Sequence, residues 1–356
     1  MVRGLTCWAP GRVNLIGEHT DYSGGLVLPV AIELGVAVEV DVAADEVSVA
    51  SIRYGPAPAF AADGSGPAAS GWARYAQAVA AELAALGRPA VGLTGTIHSD
   101  LPAGAGLSSS AALEVAVALA LCAVADYELD PLELALACQR AELRAVGVPC
   151  GILDQAASVL GRAGVAILLD CSTLEYRFVA MPAGAALVVV DSGVERSLEG
   201  TAYAERRREL SHALELVGAE RSTDVELAQL DGLDPLSARR LRHAVTENER
   251  VRRFAAAFEA GELATAGRLL GASHASLRDD YEVSIPELDL LVVLAESAGA
   301  YGARLLGAGF GGSVLVLTDD ERAADVGETV VREYGVRTRR EGRALTLHAS
   351  EGAGVR

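Results

Sequence analysis

The chain lacks the features that mark several common classes of protein. Its five cysteines, Cys7, Cys122, Cys138, Cys150 and Cys171, are odd in number and form no CxxC pair. That spacing excludes a zinc ribbon or a disulfide-stapled scaffold and suits a reduced cytosol. The six histidines are scattered, so no histidine-based metal centre stands out. Long apolar runs are also missing. Mean hydropathy is positive, yet the longest apolar stretch, residues 111–125, contains Glu114 and falls short of the roughly 20 residues a spanning helix needs. The opening MVRGLTCWAPGR holds no apolar run fit for a secretion signal. A cytoplasmic protein with no membrane partner is expected. Positive charge is scarce as well: the formal net charge is −18. Such a surface repels nucleic acid, so any phosphate site must be local.

What is present points to a globular protein. A length of 356 residues exceeds one ordinary core, and two domains sharing a cleft are expected. No internal repeat or low-complexity linker interrupts the chain. Residues 26–42 read as strand, 56–71 as loop, and 72–86 as a helix closed by Gly87. Alternation over 91–98 predicts a strand. A glycine/serine loop at 102–110 runs into a long Ala/Leu/Val helix, and another helix follows Pro131. Residues 165–170 and 186–191 read as short strands. Beyond Gly193 the composition is mostly helical, over 206–217, 237–260 and 287–298. Strand returns around the glycine cluster at 307–312, followed by a helix near 320–334 and a strand near 344–349. Strands and helices mixed in both halves indicate α+β rather than a regular βαβ array.

The most informative segment is LPAGAGLSSSAALEVA, residues 101–116. Gly104 and Gly106 allow close backbone approach to a ligand. Ser108, Ser109 and Ser110 place hydroxyls at the start of the next helix, whose N-terminus offers free N–H groups and a positive dipole end. The segment lacks the GK[ST] ending of a Walker A loop, and it lacks the dinucleotide fingerprint GxGxxG. A glycine-rich turn with a serine cap would look similar, so the order of residues has to decide.

That order, PxGxGLSSSA, resembles the second motif of the GHMP kinases, the superfamily of galactokinases, homoserine kinases and mevalonate kinases. APGRVNLIGEHTDYSGG (9–25) resembles the N-terminal galactokinase signature, and LLGAGFGGSVLVL (305–317) resembles the third superfamily motif. PCGILDQ (149–155) and SLRDDYEVSIPELD (276–289) are similar to galactokinase segments too. The resemblance covers nearly all of the chain and is weakest over 44–70 and 217–240.

The resemblance implies two α+β domains. The first, residues 1–185, would be of the ribosomal protein S5 domain 2 type and bind sugar and ATP; the second, residues 186–356, would be the C-terminal GHMP domain. It implies phosphoryl transfer from ATP to the anomeric hydroxyl of galactose; a monomer is the expected state, although the sequence does not fix it. Asp154 takes the role of candidate base, and Arg12, always charged and planar, suits a phosphoryl oxygen. Whether Asp154 abstracts the proton or orients the hydroxyl stays open. Glu18, His19, Asp21 and Tyr203, with the Gly151 backbone, fall to the sugar, because carboxylates and an imidazole can pair several hydroxyls. Gly104, Gly106, Ser108, Ser109 and Ser110 fall to the nucleotide, Trp72 to its adenine, and Ser110 with Glu142 to Mg²⁺. Ala105, Ala308 and Ser313 depart from residues common in the family, but all are small. Other sugars, and a sensor that binds without turnover, are the competing readings; the intact GLSSSA, Arg12 and Asp154 disfavour the sensor.

Overall fold

A computed structural model describes residues 4–102, 104–147, 149–195 and 199–356, with side chains at 199–201 excepted. The first three residues of the opening segment, Ala103 of the glycine/serine loop and Val148 lie outside the described residues.

The larger sheet is built on two long strands, Leu5–Asn14 and Pro29–Ala43, paired antiparallel. Gly92–Ser99 adds on the far side of Pro29–Ala43, and Glu46–Ser51 then pairs with it in parallel. The short Gly354–Val355 returns from the C-terminus to pair with the first strand. Period-2 patterning explains the layering. Val36, Val38, Val40, Val47, Val49, Leu93 and Ile97 are buried, whereas Glu39, Asp41, Thr94 and His98 are exposed. Helices Ala73–Ala85, Ser109–Val124, Pro131–Val146 and Leu153–Leu160 contribute to this half of the molecule.

Ser109–Val124 is apolar all round because it is the central core helix, with buried residues on every face. Among the described residues no helix is long and apolar enough to cross a membrane. A second core forms around the antiparallel strands Gly302–Leu306, Ser313–Asp319, Ala185–Asp191 and Arg343–Leu347. Helices Glu199–Leu216, Pro235–Glu259, Leu263–Asp279, Pro286–Ser297 and Ala323–Thr338 complete the C-terminal half. Strands and helices thus occur in both halves, as the α+β expectation has it.

The differences from the sequence expectation have local causes. Pro29 starts a new strand, so 26–42 divides into Leu26–Val27 and Pro29–Ala43, and the first piece joins a separate sheet with Val165–Asp170 and Tyr176–Ala180. The glycine cluster is the turn between two strands rather than a strand itself. Helix Leu153–Leu160 hides inside the PCGILDQ motif and is short, with eight residues. The strand Leu5–Asn14 contains Pro10 and Gly11, breakers that mask its pattern.

At Gly11 the pairing register shifts between Pro10 and Arg12. A Cβ there would lie 2.6 Å from the Leu107 carbonyl oxygen and 2.6 Å from Leu101 Cδ2. The glycine/serine loop therefore sits directly on the first strand at a spacing only glycine allows. Gly11→Ala is expected to lower stability by about 1–3 kcal/mol, the usual cost of overpacking. A urea melt should show the reduced midpoint, and an unchanged midpoint would mean that the loop yields freely.

Candidate active site

The loop is held by its carbonyls. Ser313 Oγ donates to the Ala105 oxygen (3.0 Å), Arg12 Nη1 donates to Gly106 (2.7 Å), and the Arg12 backbone N–H donates to Leu107 (3.1 Å). With these carbonyls turned into the protein, the chain enters helix Ser109–Val124 through Ser108, whose φ of 57° is left-handed. Few non-glycine residues adopt that conformation, and they do so where their surroundings enforce it. Ser108 stands at the N-cap, yet its side chain makes no capping bond. Its hydroxyl instead donates to Asp154 Oδ2 at 2.6 Å. The first-turn amides, whose intrahelical partners are missing by geometry, stay available to an anion.

Asp154 is the second residue of helix Leu153–Leu160. Its Oδ1 accepts from Arg12 Nε and Nη2, both at 2.7 Å. One arginine thus grips the carboxylate with one edge of its planar fork and the loop with the other. Arg12 is buried, while the Asp154 side chain keeps 30% exposure toward the cleft.

Glu18, His19 and Asp21 lie on the turn after the first strand. Glu18 Oε1 accepts from Arg304 Nη1 (3.0 Å) and from the Gly307 N–H (2.8 Å). Burial works against its charge, but Arg304 leads the groups that reverse this, and the carboxyl ends below its ordinary range. The His19 ring is pushed down to about 3, by burial first and by His243 second, and so is neutral. Nε2 faces the Ala308 carbonyl at 3.2 Å, which makes it the donor and leaves Nδ1 to accept from the Tyr22 hydroxyl at 2.8 Å. Both ring nitrogens are engaged by the protein, so a ligand hydroxyl would have to displace one of them. Tyr22 continues to Tyr281 (2.8 Å), and Tyr203 packs beside His19 and Tyr22.

Helix Pro235–Glu259 supports this turn from behind. His243 Nε2 donates to the Glu18 carbonyl (3.0 Å), Glu247 Oε1 accepts from the Gly17 N–H (3.0 Å), and Asn248 Oδ1 accepts from the Leu26 N–H (2.8 Å). Gly151 packs flat against Asp21: a Cβ there would fall 1.9 Å from Asp21 Oδ2. Near the helix N-terminus, Ser110 Oγ donates to Glu142 Oε1 at 3.0 Å. Gln155 Nε2 bridges Glu142 Oε2 (2.7 Å) and Glu114 Oε2 (3.0 Å). Burial, reinforced by Asp154, raises Glu142.

One cleft of about 420 Å³ gathers most of the residues singled out from the sequence. Arg12, Glu18, His19, Asp21, Gly104, Gly106, Ser108, Ser109, Ser110, Gly151, Asp154 and Tyr203 line it. Glu142 reaches it through Ser110. Trp72 packs on the main core and is not among the lining residues; Tyr75, one turn further on, is. Sequence reasoning missed Arg304, Tyr22, Tyr281 and the three supports on helix Pro235–Glu259. The signal for those three was present: His243, Glu247 and Asn248 are polar at i, i+4 and i+5, on a face that also holds Leu241 and Val251. GAGFGG at 307–312 spells GxGxxG, but it joins two antiparallel strands and opens no helix, so it is no dinucleotide site.

Asp21 contrasts with Glu18. Burial, then the charges of Asp154 and Glu18, lift its carboxyl from 3.8 to about 7. A carboxyl ¹³C titration should place its midpoint near 7, and Asp154→Asn should lower that midpoint. Between 3.8 and 7 the folded chain holds a proton that the unfolded chain has lost. The Asp21 contribution to stability therefore falls as pH rises through that window. A midpoint near 4 would overturn the assignment.

Three family models match the chain: the galactokinase galactose-binding signature over 3–42, the GHMP kinases N terminal domain over 74–162, and the GHMP kinases C terminal over 254–337. A galactokinase of Pyrococcus furiosus is 40% identical over 351 residues, 99% of each chain. A galactokinase of Roseiflexus is 43% identical over 358 residues, covering 97% of this chain and 91% of that one. The crystal structure of Lactococcus lactis galactokinase complexed with galactose superposes with a TM-score of 0.93 at 33% identity, covering 98% and 94%. These matches run through the loop, the turn and the hairpin that build the cleft, and the chain belongs to the galactokinases of the GHMP kinase family.

Proposed function

We propose that this galactokinase transfers the terminal phosphoryl group of ATP to the anomeric hydroxyl of galactose, giving ADP and galactose 1-phosphate. The observation that carries the reading is the meeting of Arg12, Asp154 and Ser108 at the foot of an uncapped helix N-terminus, in the same cleft as Glu18 and Asp21. The glycine/serine loop and the first-turn amides receive the phosphates. The base lies toward helix Ala73–Ala85, where Tyr75 lines the cleft and Trp72 stands one turn earlier. The sugar sits among Glu18, His19, Asp21, Gly151 and Tyr203. Its anomeric hydroxyl donates to Asp154, the oxygen attacks the terminal phosphorus, and the bond to ADP breaks. Arg12 offsets the charge on the transferring oxygens. Positioning and charge, rather than covalent chemistry by the protein, supply the acceleration.

The residues present fit Mg²⁺. Ser110 and Glu142 bring two hard oxygens 3.0 Å apart to the helix N-terminus. One carboxylate and one hydroxyl leave places for phosphate oxygens and waters, as this ion prefers. When bound, it would neutralise charge on the phosphates.

A coupled ADP-release assay with Mg-ATP against galactose, glucose, N-acetylgalactosamine, arabinose and mevalonate tests the reading. Galactose should exceed the others clearly; preference for another sugar would keep the machinery and correct the substrate, and no turnover with any would overturn it. Asp154→Asn should lower kcat by about 10²–10⁴, with ADP affinity by calorimetry nearly unchanged. Retention of most of kcat would remove Asp154 from the chemistry.

A further inference from the structure

Arg304 lies on strand Gly302–Leu306 of the C-terminal sheet, with no solvent exposure, and does not line the cleft. Every arm of its guanidinium is used. Nε donates to the Leu15 carbonyl (2.7 Å), Nη2 to the Asn14 carbonyl, and Nη1 to both the Leu305 carbonyl (2.5 Å) and Glu18 Oε1 (3.0 Å). Asn14 and Leu15 end the first strand and lead into the turn that carries Glu18, His19 and Asp21. A residue of the C-terminal hairpin therefore ties down both the backbone and a carboxylate of the N-terminal sugar turn.

The supports from helix Pro235–Glu259 act on the backbone of this turn, at Gly17, Glu18 and Leu26. The carboxylate of Glu18 is held by Arg304 and by the Gly307 N–H, both on Oε1. Both bonds fall on one oxygen of a side chain that lines the cleft. We propose that Arg304 is a positioning residue for sugar recognition: without touching substrate, it sets where the Glu18 carboxylate points and couples the C-terminal hairpin to sugar affinity. Arginine suits the place because a planar fork can serve a carboxylate and separate carbonyls at once. Lysine supplies the charge at a single point and cannot span them. Removing one member of a buried pair leaves the other charge uncompensated, a loss large enough to be read in binding.

The proposal rests on the galactose reading, and wild-type turnover tests that reading separately. If the wild type favours another sugar of the panel, that sugar replaces galactose in the variant comparison. Arg304→Lys and Arg304→Gln are compared with wild type for the KM of galactose and the KM of ATP. The Gln variant should raise galactose KM about ten- to a hundred-fold, and the Lys variant should recover part of that loss. ATP KM should stay close to wild type in both. Equal rises in the two KM values, or an unchanged galactose KM, would overturn the proposal, because a merely structural residue moves both or neither. Should the variants fail to fold, hydrogen–deuterium exchange on the wild-type protein decides. Galactose added without nucleotide should slow exchange in segment 302–307 together with 15–19; protection confined to 15–19 would overturn the coupling.

Discussion

The arrangement depends first on one guanidinium. Arg12 projects from the first strand and holds, within a few ångströms, a carboxylate from helix Leu153–Leu160 and a carbonyl from the glycine/serine loop. Strand, loop and helix come from distant parts of the sequence, and each presents a group that is costly to bury alone. Paired, they satisfy one another and leave the Ser108 hydroxyl aimed at the same carboxylate. An uncapped helix N-terminus is a liability in most proteins. Here the uncapped end is the proposed anion site, and the left-handed Ser108 is the conformational cost of leaving it uncapped.

All 30 basic residues of the chain are arginines; lysine does not occur. The consequence shows at the clamps. Arg12 joins two segments, Arg304 joins two sheets, and Arg240 joins Glu209, Glu282 and the Asp280 carbonyl. Each uses several arms of the fork, which an ammonium group could not imitate. In a chain of net charge −18, these buried cations serve geometry, each holding several acceptors at once.

The parts legible in the sequence were those whose chemistry is local. The glycine/serine loop, the turn at 17–25 and the GILDQ segment name their residues in order, and the cleft gathers them. Elements with a clear local signal could be read as well: the short apolar strand at 165–170 and the helix after Pro131 are where the sequence places them. What could not be read depends on tertiary partners. Leu153–Leu160 is too short to show a helical period, and Pro10 and Gly11 obscure the first strand because their reason for being there is the loop packed against them. Arg304 sits in an apolar hairpin strand, where a charged residue looks like a break in the pattern until its four acceptors are in view. Trp72 shows the reverse case, a residue assigned by motif whose neighbour Tyr75 is the one on the cleft wall.

Glu18 and Asp21 lie three residues apart on one turn, yet their environments push them in opposite directions. Glu18 is paired with Arg304 and held below its ordinary range, so it is an acceptor at any working pH. Asp21 is lifted to about 7, by burial first and then by the charges of Asp154 and Glu18. A sugar hydroxyl is both donor and acceptor, and a row of fixed carboxylates could serve only its donor side. A turn that offers one permanent acceptor beside one group able to give or take a proton near neutrality can match both sides. It also limits the negative charge gathered around a site that must receive phosphate. Burial pushes both carboxyls up; the charge around the turn, Arg304 acting on one and Asp154 on the other, then divides two chemically similar side chains.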